Sequence, residues 1–161
     1  MNYLAHLALS GNNEGVIIGN FIGDSLKGVK IENYSEEIKK GIKLHRFIDD
    51  FTDHHAIFIE TKKIFSPIYD KYSAVLVDIF FDHFLATNFN LYHEVDLQKF
   101  SFNCYDLILK YYEILPEDAK RFYHYMKKYN ILYEYKNLDS LKFVLEGLHE
   151  RTGKKSSINQ S

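Results

Sequence analysis

The stretch between Tyr72 and Phe89 constrains the fold of this chain more than any other segment, because it is apolar on almost every side. A helix without a polar face is stable only where protein surrounds it, so the stretch predicts a buried central helix. Its longest apolar piece, Ala74 to Phe81, is interrupted by Asp78, and the sequence contains no apolar run long enough to cross a membrane. We therefore expect no membrane-spanning helix.

The neighbouring segments also show helical rather than strand-type spacing. Apolar residues recur at helix-like offsets from Ile42 to about Phe58 and again from Leu97 to Leu115. Ser66 followed by Pro67 predicts the start of another helix, because serine caps helices and proline fits their first turn. By the same rule, Pro116 predicts that a new helix begins directly after Leu115.

The whole chain is expected to form a single compact, all-α domain of six or seven helices. Its 161 residues suffice for one domain, which we place at residues 1–151, followed by a polar tail at 152–161. A last short helix is expected from Leu138 to Leu148. The glycine-rich segment from Gly11 to Gly28 is expected to hold a loop and a short helix.

Charge and cysteine content narrow the class of protein. The 20 Lys and Arg residues against 22 Asp and Glu residues give a formal charge of −2, which does not suit a nucleic-acid-binding protein. The single cysteine, Cys104, cannot form an internal disulfide and favours a reducing compartment. The short apolar start from Tyr3 to Leu9 has no Lys or Arg before it, unlike a secretory signal. We expect a cytoplasmic protein that binds neither nucleic acid nor membrane.

Histidine and aspartate residues are concentrated in the first half of the chain. Asp78 and Asp82 lie one helical turn apart in the apolar sequence VLVDIFFDHFL, where two carboxylates repel each other and lose hydration. A divalent metal would relieve both penalties; alternatively, one carboxylate faces solvent while the other accepts hydrogen bonds from a buried Tyr or Arg. The candidates for a shared site are His6, Asp24, His45, Asp49, Asp53, Asp78, Asp82 and His83.

The spacing of His45, Asp49 and Asp53 places all three on one face of a helix. They form either part of a metal site or an ordinary surface pair one turn apart. Mixed imidazole and carboxylate ligands suit Mn, Fe, Mg or Zn, and Mn or Mg where carboxylates dominate. Such a metal lowers the pKa of bound water and polarises a phosphoryl oxygen, so the pattern indicates metal-assisted hydrolysis.

Five motifs in series resemble the acyl carrier protein phosphodiesterase family, which is regarded as a divergent branch of the HD phosphohydrolase superfamily. The resemblance runs from residue 2 to about residue 151. The motifs are Asn2-Tyr-Leu-Ala-His6-Leu, Gly19-Asn20-x-x-x-Asp24 with Lys27-Gly28, Gly41-Ile-x-Leu-His45-Arg46-x-Ile-Asp49-x-x-Thr52-Asp53, Val77-Asp78-x-x-x-Asp82-His83-Phe-Leu and Ile114-Leu-Pro116.

This resemblance implies an HD-phosphohydrolase-like helical enzyme that uses Mn2+, with Mg2+ or Fe2+ as alternatives. It implies hydrolysis of the phosphodiester between 4′-phosphopantetheine and a serine of holo acyl carrier protein. Asp24 is expected to orient or deprotonate the water, and Arg46 and Lys27 to contact phosphate oxygens. His6 joins these catalytic candidates. The expected metal ligands are His45, Asp49, Asp53, Asp78, Asp82 and His83.

A basic, tyrosine-rich segment offers a docking surface for an acidic carrier protein. Its cations are Lys120, Arg121, Lys127, Lys128 and Lys136. Alternatively, the segment is a solvated helix with half-buried tyrosines. Two other functions also remain open at this stage: the same hydrolysis on a small nucleotide or phosphoester, and a non-catalytic helical module that binds a carrier protein.

Overall fold

The computed structural model describes residues 3–142, whose regular elements are all α-helices or 3₁₀ turns, with no β-strand among them. This confirms the predicted all-α class, whereas the relation to HD phosphohydrolases stays a prediction. The described part contains eight complete α-helices: α1 (Tyr3–Ala8), α2 (Glu14–Ile22), α3 (Glu36–His54), α4 (Ala56–Tyr69), α5 (Ser73–Thr87), α6 (Leu97–Lys110), α7 (Glu117–Lys128) and α8 (Ile131–Glu134). Helical residues 138–142 follow α8.

Short polar side chains begin several of these helices. Asn13 accepts a hydrogen bond from the Val16 N–H at the start of α2, and Asp96 does the same for Lys99 at the start of α6. Pro116 precedes α7, as its sequence position predicts. The helix predicted from Leu97 to Leu115 ends earlier, because α6 is followed by a separate 3₁₀ turn, Tyr112–Ile114.

The crossing of α2 and α3 depends on two glycines. A Cβ on Gly19 would lie 2.0 Å from the Ile38 carbonyl oxygen, and one on Gly41 would lie 2.2 Å from the Val16 carbonyl oxygen. The two backbones therefore approach more closely than any larger residue would allow. Gly41 thus lies inside α3 because of this crossing. The helix begins at Glu36, where Ser35 accepts a hydrogen bond from the Ile38 N–H, rather than near Ile42 as the periodicity predicted.

The predicted helix start at Ser66 and Pro67 is wrong. Both residues lie in the last turn of α4, and the Ser66 hydroxyl donates to the Lys62 carbonyl oxygen instead of capping a new helix. Pro67 therefore lacks an N–H group for the hydrogen-bond pattern of α4, two residues before that helix ends at Tyr69. After the 3₁₀ turn Asp70–Tyr72, α5 starts at Ser73.

The main core lies between α1, α2, α3, α6 and α7. Its largest fully buried side chains include Phe21, Tyr105 and Tyr123. The inner face of α5 is buried as predicted, but Val75 and Phe84 are 42% and 58% exposed, so protein does not surround this helix on every side. Within residues 3–142, no helix combines the length and apolar character needed to cross a membrane.

The predicted last helix begins as expected, since residues 138–142 are helical. The remainder of that helix and the tail at 152–161 lie outside the described residues.

Candidate metal centre

Two helices bring His6, His45 and Asp49 together. His6 lies in α1, while His45 and Asp49 lie one turn apart on α3. The Asp49 carboxylate lies between the imidazoles, with Oδ1 3.1 Å from His6 Nε2 and Oδ2 3.2 Å from His45 Nε2. One ligand atom from each residue lies within 4.8 Å of the others, so the triad could hold a metal ion.

The opposite edges of the two imidazoles face Asn20 of α2. His6 Nδ1 lies 2.8 Å from the Asn20 side-chain oxygen, and His45 Nδ1 lies 2.8 Å from the Asn20 carbonyl oxygen. The rings stack with their centroids 4.0 Å apart and an angle of 11° between their planes. Histidines that bind metals usually have this arrangement, in which one ring nitrogen faces the metal and the other is fixed by an oxygen.

The 3₁₀ turn Gly23–Ser25, which follows α2, completes this side of the site. A Cβ on Gly23 would lie 2.2 Å from His45 Cγ, so only glycine leaves room for the imidazole in this position. Asp24 follows directly, and its Oδ1 lies 3.1 Å from His45 Nε2. The Asp24 side chain is 61% exposed, which places this carboxylate on the solvent side of the triad.

The electrostatics of the cluster favour a positive charge between its carboxylates. The hydrogen bond from His45 lowers the pKa of Asp24. Burial disfavours the charge of Asp49, but hydrogen bonds from His45 and His6 outweigh burial and lower its pKa. Burial likewise opposes a charge on His45, yet its bonds to Asp24 and Asp49 raise its pKa to about 9. Because carbonyl oxygen occupies His45 Nδ1, the Nε2 atom between two carboxylates needs either a proton or a metal.

The two aspartates of α5 are not part of this triad. Asp82 is fully buried and accepts hydrogen bonds from the backbone N–H groups of Leu4, at 3.0 Å, and Ala5, at 3.1 Å. Burial raises its pKa to about 8 against the effect of these two bonds. Asp78 is partly buried, and burial together with the charges of Asp53 and Asp49 raises its pKa. Asp78 therefore lies near the triad, whereas Asp82 anchors the start of α1.

The other predicted site residues surround the triad or lie apart from it. His83 is buried and donates from Nδ1 to the Tyr135 carbonyl oxygen at 2.7 Å. Asp53 lies one turn beyond Asp49 on α3, with an exposed side chain. Arg46 and Lys27 are exposed as well, next to His45 and after Asp24 in the chain, respectively. Their positions leave the two cationic groups accessible to a ligand at the rim.

The sequence analysis missed the parts played by Asn20 and Gly23. Asn20 belongs to the Gly19-Asn20-x-x-x-Asp24 motif, so its presence in a recognised pattern was the available signal. Its contacts were not predictable, because they join residues 14 and 25 positions away along the chain.

The basic segment, which contains Lys120 to Lys136, begins on α7, and this helix packs against two elements of the site, α1 and the turn Gly23–Ser25. Phe122 of α7 stacks on Tyr3 at the start of α1, with ring centroids 4.1 Å apart, and α7 also packs on the turn Gly23–Ser25. Lys120 and Arg121 pair with acidic residues of their own helix. The other three cations lie over tyrosine rings: Lys127 over Tyr123, Lys128 over Tyr129 and Lys136 over Tyr133.

A family model described as acyl carrier protein phosphodiesterase matches residues 1–161. A protein of that name from Photorhabdus laumondii is 30% identical over 162 residues, covering 100% of this chain and 82% of the relative. One from Escherichia coli strain CFT073 is 28% identical over 165 residues, covering 100% and 84%. One from Yersinia enterocolitica is 30% identical over 159 residues, covering 98% and 82%. No solved structure matches the chain.

These matches confirm the family that the sequence motifs resemble. They also confirm the predicted class of enzyme, a phosphodiester hydrolase.

Proposed function

Because the chain belongs to the acyl carrier protein phosphodiesterase family, we propose that it hydrolyses holo acyl carrier protein. The bond cleaved is the phosphodiester between 4′-phosphopantetheine and a serine of the carrier, and the products are the apo protein and 4′-phosphopantetheine. One observation carries this proposal: two imidazole Nε2 atoms and a carboxylate converge next to the exposed Asp24. Such a set of donors suits metal-assisted phosphodiester hydrolysis.

His6, His45 and Asp49 would hold the divalent ion, for which we propose Mn2+ ahead of Mg2+ or Fe2+. Two imidazoles and one carboxylate fit these ions by ligand type, and the negative charges of Asp53 and Asp78 lie close by. When bound, the ion would supply a water of lowered pKa and polarise a phosphoryl oxygen. Asp82 and His83 are assigned to the fold, since their polar atoms bind backbone groups of other elements.

Asp24 is proposed to orient the attacking water and to accept its proton on a carboxylate oxygen. Its exposed side chain leaves room for a water, and its lowered pKa keeps the carboxylate ionised, so that it can accept a hydrogen bond from that water. Arg46 and Lys27 are proposed to bind the phosphate oxygens at the rim. Arginine would do so with two parallel N–H groups and lysine as a point charge.

Lys127, Lys128 and Lys136 are proposed to dock the carrier protein. Each ammonium lies between 4.0 and 5.7 Å from a tyrosine ring centroid, so each is held on an aromatic base without an acidic partner among the described contacts. Acyl carrier proteins are strongly acidic, and complementary charge accelerates the encounter with such a partner. Phe122 stacks on Tyr3, so the helix that carries Lys127 and Lys128 packs against α1, the helix of His6.

The function is tested by incubating metal-free protein with holo acyl carrier protein, with and without Mn2+, and following the mass of the carrier. Loss of the phosphopantetheine mass only with Mn2+ is expected. Equal loss in the presence of a chelator would contradict the metal. Retention of the full mass although Mn2+ binds would contradict the carrier as substrate, and cleavage of a small phosphodiester would then identify the alternative.

The docking surface is tested by reversing two charges, Lys127→Glu with Lys128→Glu. The KM for holo carrier protein is expected to rise about tenfold, with kcat unchanged, because the encounter loses attraction while the triad is intact. The matched control reverses two exposed lysines of α4, Lys62→Glu with Lys63→Glu, which changes net charge equally. Equal KM values for the two double variants would contradict this surface.

A further inference from the structure

Asn20 is the only residue that the structure places against both imidazoles of the triad on their Nδ1 side among residues 3–142. It is fully buried. Its side-chain oxygen lies 2.8 Å from His6 Nδ1 and 3.2 Å from His45 Nδ1, and its carbonyl oxygen lies 2.8 Å from His45 Nδ1. Its side-chain nitrogen donates to the His6 carbonyl oxygen and to Ser10 Oγ, both at 2.8 Å.

These contacts fix the orientation of the Asn20 amide. The His6 carbonyl oxygen can only accept, so the amide group facing it must be the NH2 donor. Ser10 Oγ already donates its hydrogen to the same carbonyl at 2.7 Å, and therefore accepts from Asn20. The amide oxygen is left facing the two rings, where it can only accept.

The amide orientation in turn decides where each imidazole carries its hydrogen. His6 Nδ1 faces an accepting side-chain oxygen, and His45 Nδ1 faces an accepting carbonyl oxygen, so both Nδ1 atoms carry hydrogen. A neutral imidazole has only one N–H, which leaves a lone pair on each Nε2. Those Nε2 atoms lie within 3.2 Å of an Asp49 oxygen.

We infer that Asn20 is a positioning residue, which holds both imidazoles in the Nδ1-protonated tautomer and so presents both Nε2 lone pairs to one divalent cation. The inference rests on the proposed metal site. Asn20 orients histidines of two different helices. It holds His6 through its side-chain oxygen and His45 mainly through its backbone carbonyl oxygen. Asn20 also holds the His6 backbone, because its side-chain NH2 group donates to the His6 carbonyl oxygen.

The test compares Asn20→Ala with Ser10→Ala in the full chain. Ser10 belongs to the same buried network but contacts neither imidazole, so its loss reports what a purely structural hydrogen bond contributes. Mn2+ affinity, measured by calorimetry, is expected to fall about 10- to 100-fold in Asn20→Ala and to be unchanged in Ser10→Ala. The inference is overturned if Asn20→Ala binds Mn2+ like the wild type, or if both variants lose affinity equally.

Asn20→Asp provides a second variant should the alanine variant fail to fold. It retains an accepting oxygen toward the imidazoles but loses both donated bonds. Because the ring orientation depends on the accepting oxygen, the Mn2+ affinity of Asn20→Asp is expected to stay near that of the wild type. It should therefore exceed the affinity of Asn20→Ala, if that variant folds. Loss of Mn2+ binding by folded Asn20→Asp would overturn the inference.

Nitrogen NMR of the metal-free protein separates this inference from the metal proposal. At about pH 10, where histidine is neutral, the wild type is expected to show protonated Nδ1 and bare Nε2 for both residues. Asn20→Ala is expected to show mixed tautomers for His6, and Ser10→Ala the wild-type pattern. If the wild type binds no Mn2+ yet shows these spectra, the proposed metal site is contradicted and the positioning role of Asn20 is supported. An unchanged His6 tautomer in Asn20→Ala overturns the positioning role whatever the metal result.

Discussion

The carboxylates of α3 and those of α5 have the same spacing and different surroundings. On α3, Asp49 lies between two imidazole Nε2 atoms and is 33% exposed. On α5, Asp82 is fully buried, and its two oxygens accept the Leu4 and Ala5 N–H groups. One carboxylate is thus directed at side chains that can share a cation, and the other at the backbone of a helix start.

This difference is decided by α1, which contacts both carboxylates at once. Its first residues give their N–H groups to Asp82, because the first N–H groups of a helix have no partner within it. His6, further along the same helix, then reaches Asp49. Asp82 therefore anchors the start of α1 without itself contacting the triad.

The largest expected effect comes from Asp49→Asn, which removes the charge shared by the two imidazoles. Loss of a ligand costs several kcal/mol of transition-state stabilisation, so kcat/KM is expected to fall at least about 1000-fold. Steady-state hydrolysis of holo carrier protein and Mn2+ calorimetry measure the change. Asp50→Asn is the control, since Asp50 is exposed and forms an ion pair with His54, which is not part of the triad. Similar losses in the two variants would contradict the role of Asp49.

Asp82→Ala is expected to reduce stability rather than metal binding. Two buried N–H groups would lose their acceptor, at about 1 to 3 kcal/mol each, so the unfolding free energy should fall by about 2 to 6 kcal/mol. Urea denaturation of the metal-free protein measures this loss. Mn2+ affinity of the folded variant, titrated at low temperature, is expected to be unchanged. A variant of normal stability that cannot bind Mn2+ would make Asp82 a ligand and remove the contrast with Asp49.

The metal-free protein is expected to lose stability as the pH rises through the neutral range. The pKa of His45 is about 9 in the folded state, against an ordinary value of 6.5 for histidine. The contribution of its imidazolium is therefore full below about pH 6.5 and lost by about pH 9, with an expected size of about 1 to 3 kcal/mol. Urea denaturation across this range measures the slope.

His45→Gln is the control for the pH dependence, because glutamine does not titrate. Its unfolding free energy is expected to change less over the same range than that of the wild type. Identical slopes would show that another group is responsible, and would remove His45 from the charged cluster with Asp24 and Asp49.

Sequence alone predicted the helical class and several helix starts, because these depend on local spacing and capping. It also selected His6, His45 and Asp49 as candidates from short motifs. It could not separate Asp49 from Asp82, since spacing along a helix places a carboxylate on a face but does not determine what packs against that face. Pro67 and Gly41 were misinterpreted for a related reason: their usual local meaning is overridden by the end of α4 and by the crossing with α2.

The smallest expected effect concerns Gly23, which leaves space for the His45 imidazole. In Gly23→Ala, the added Cβ would lie 2.2 Å from His45 Cγ, so the imidazole must leave its present position. Mn2+ affinity is expected to fall about tenfold, because small displacements of a ligand are costly in a preorganised site. Gly28→Ala is the control: its φ of +75° strains alanine, but nothing lies within 4 Å of the new Cβ. Gly28→Ala should therefore lose stability alone, and loss of Mn2+ affinity in both variants would attribute the effect to general destabilisation rather than to His45.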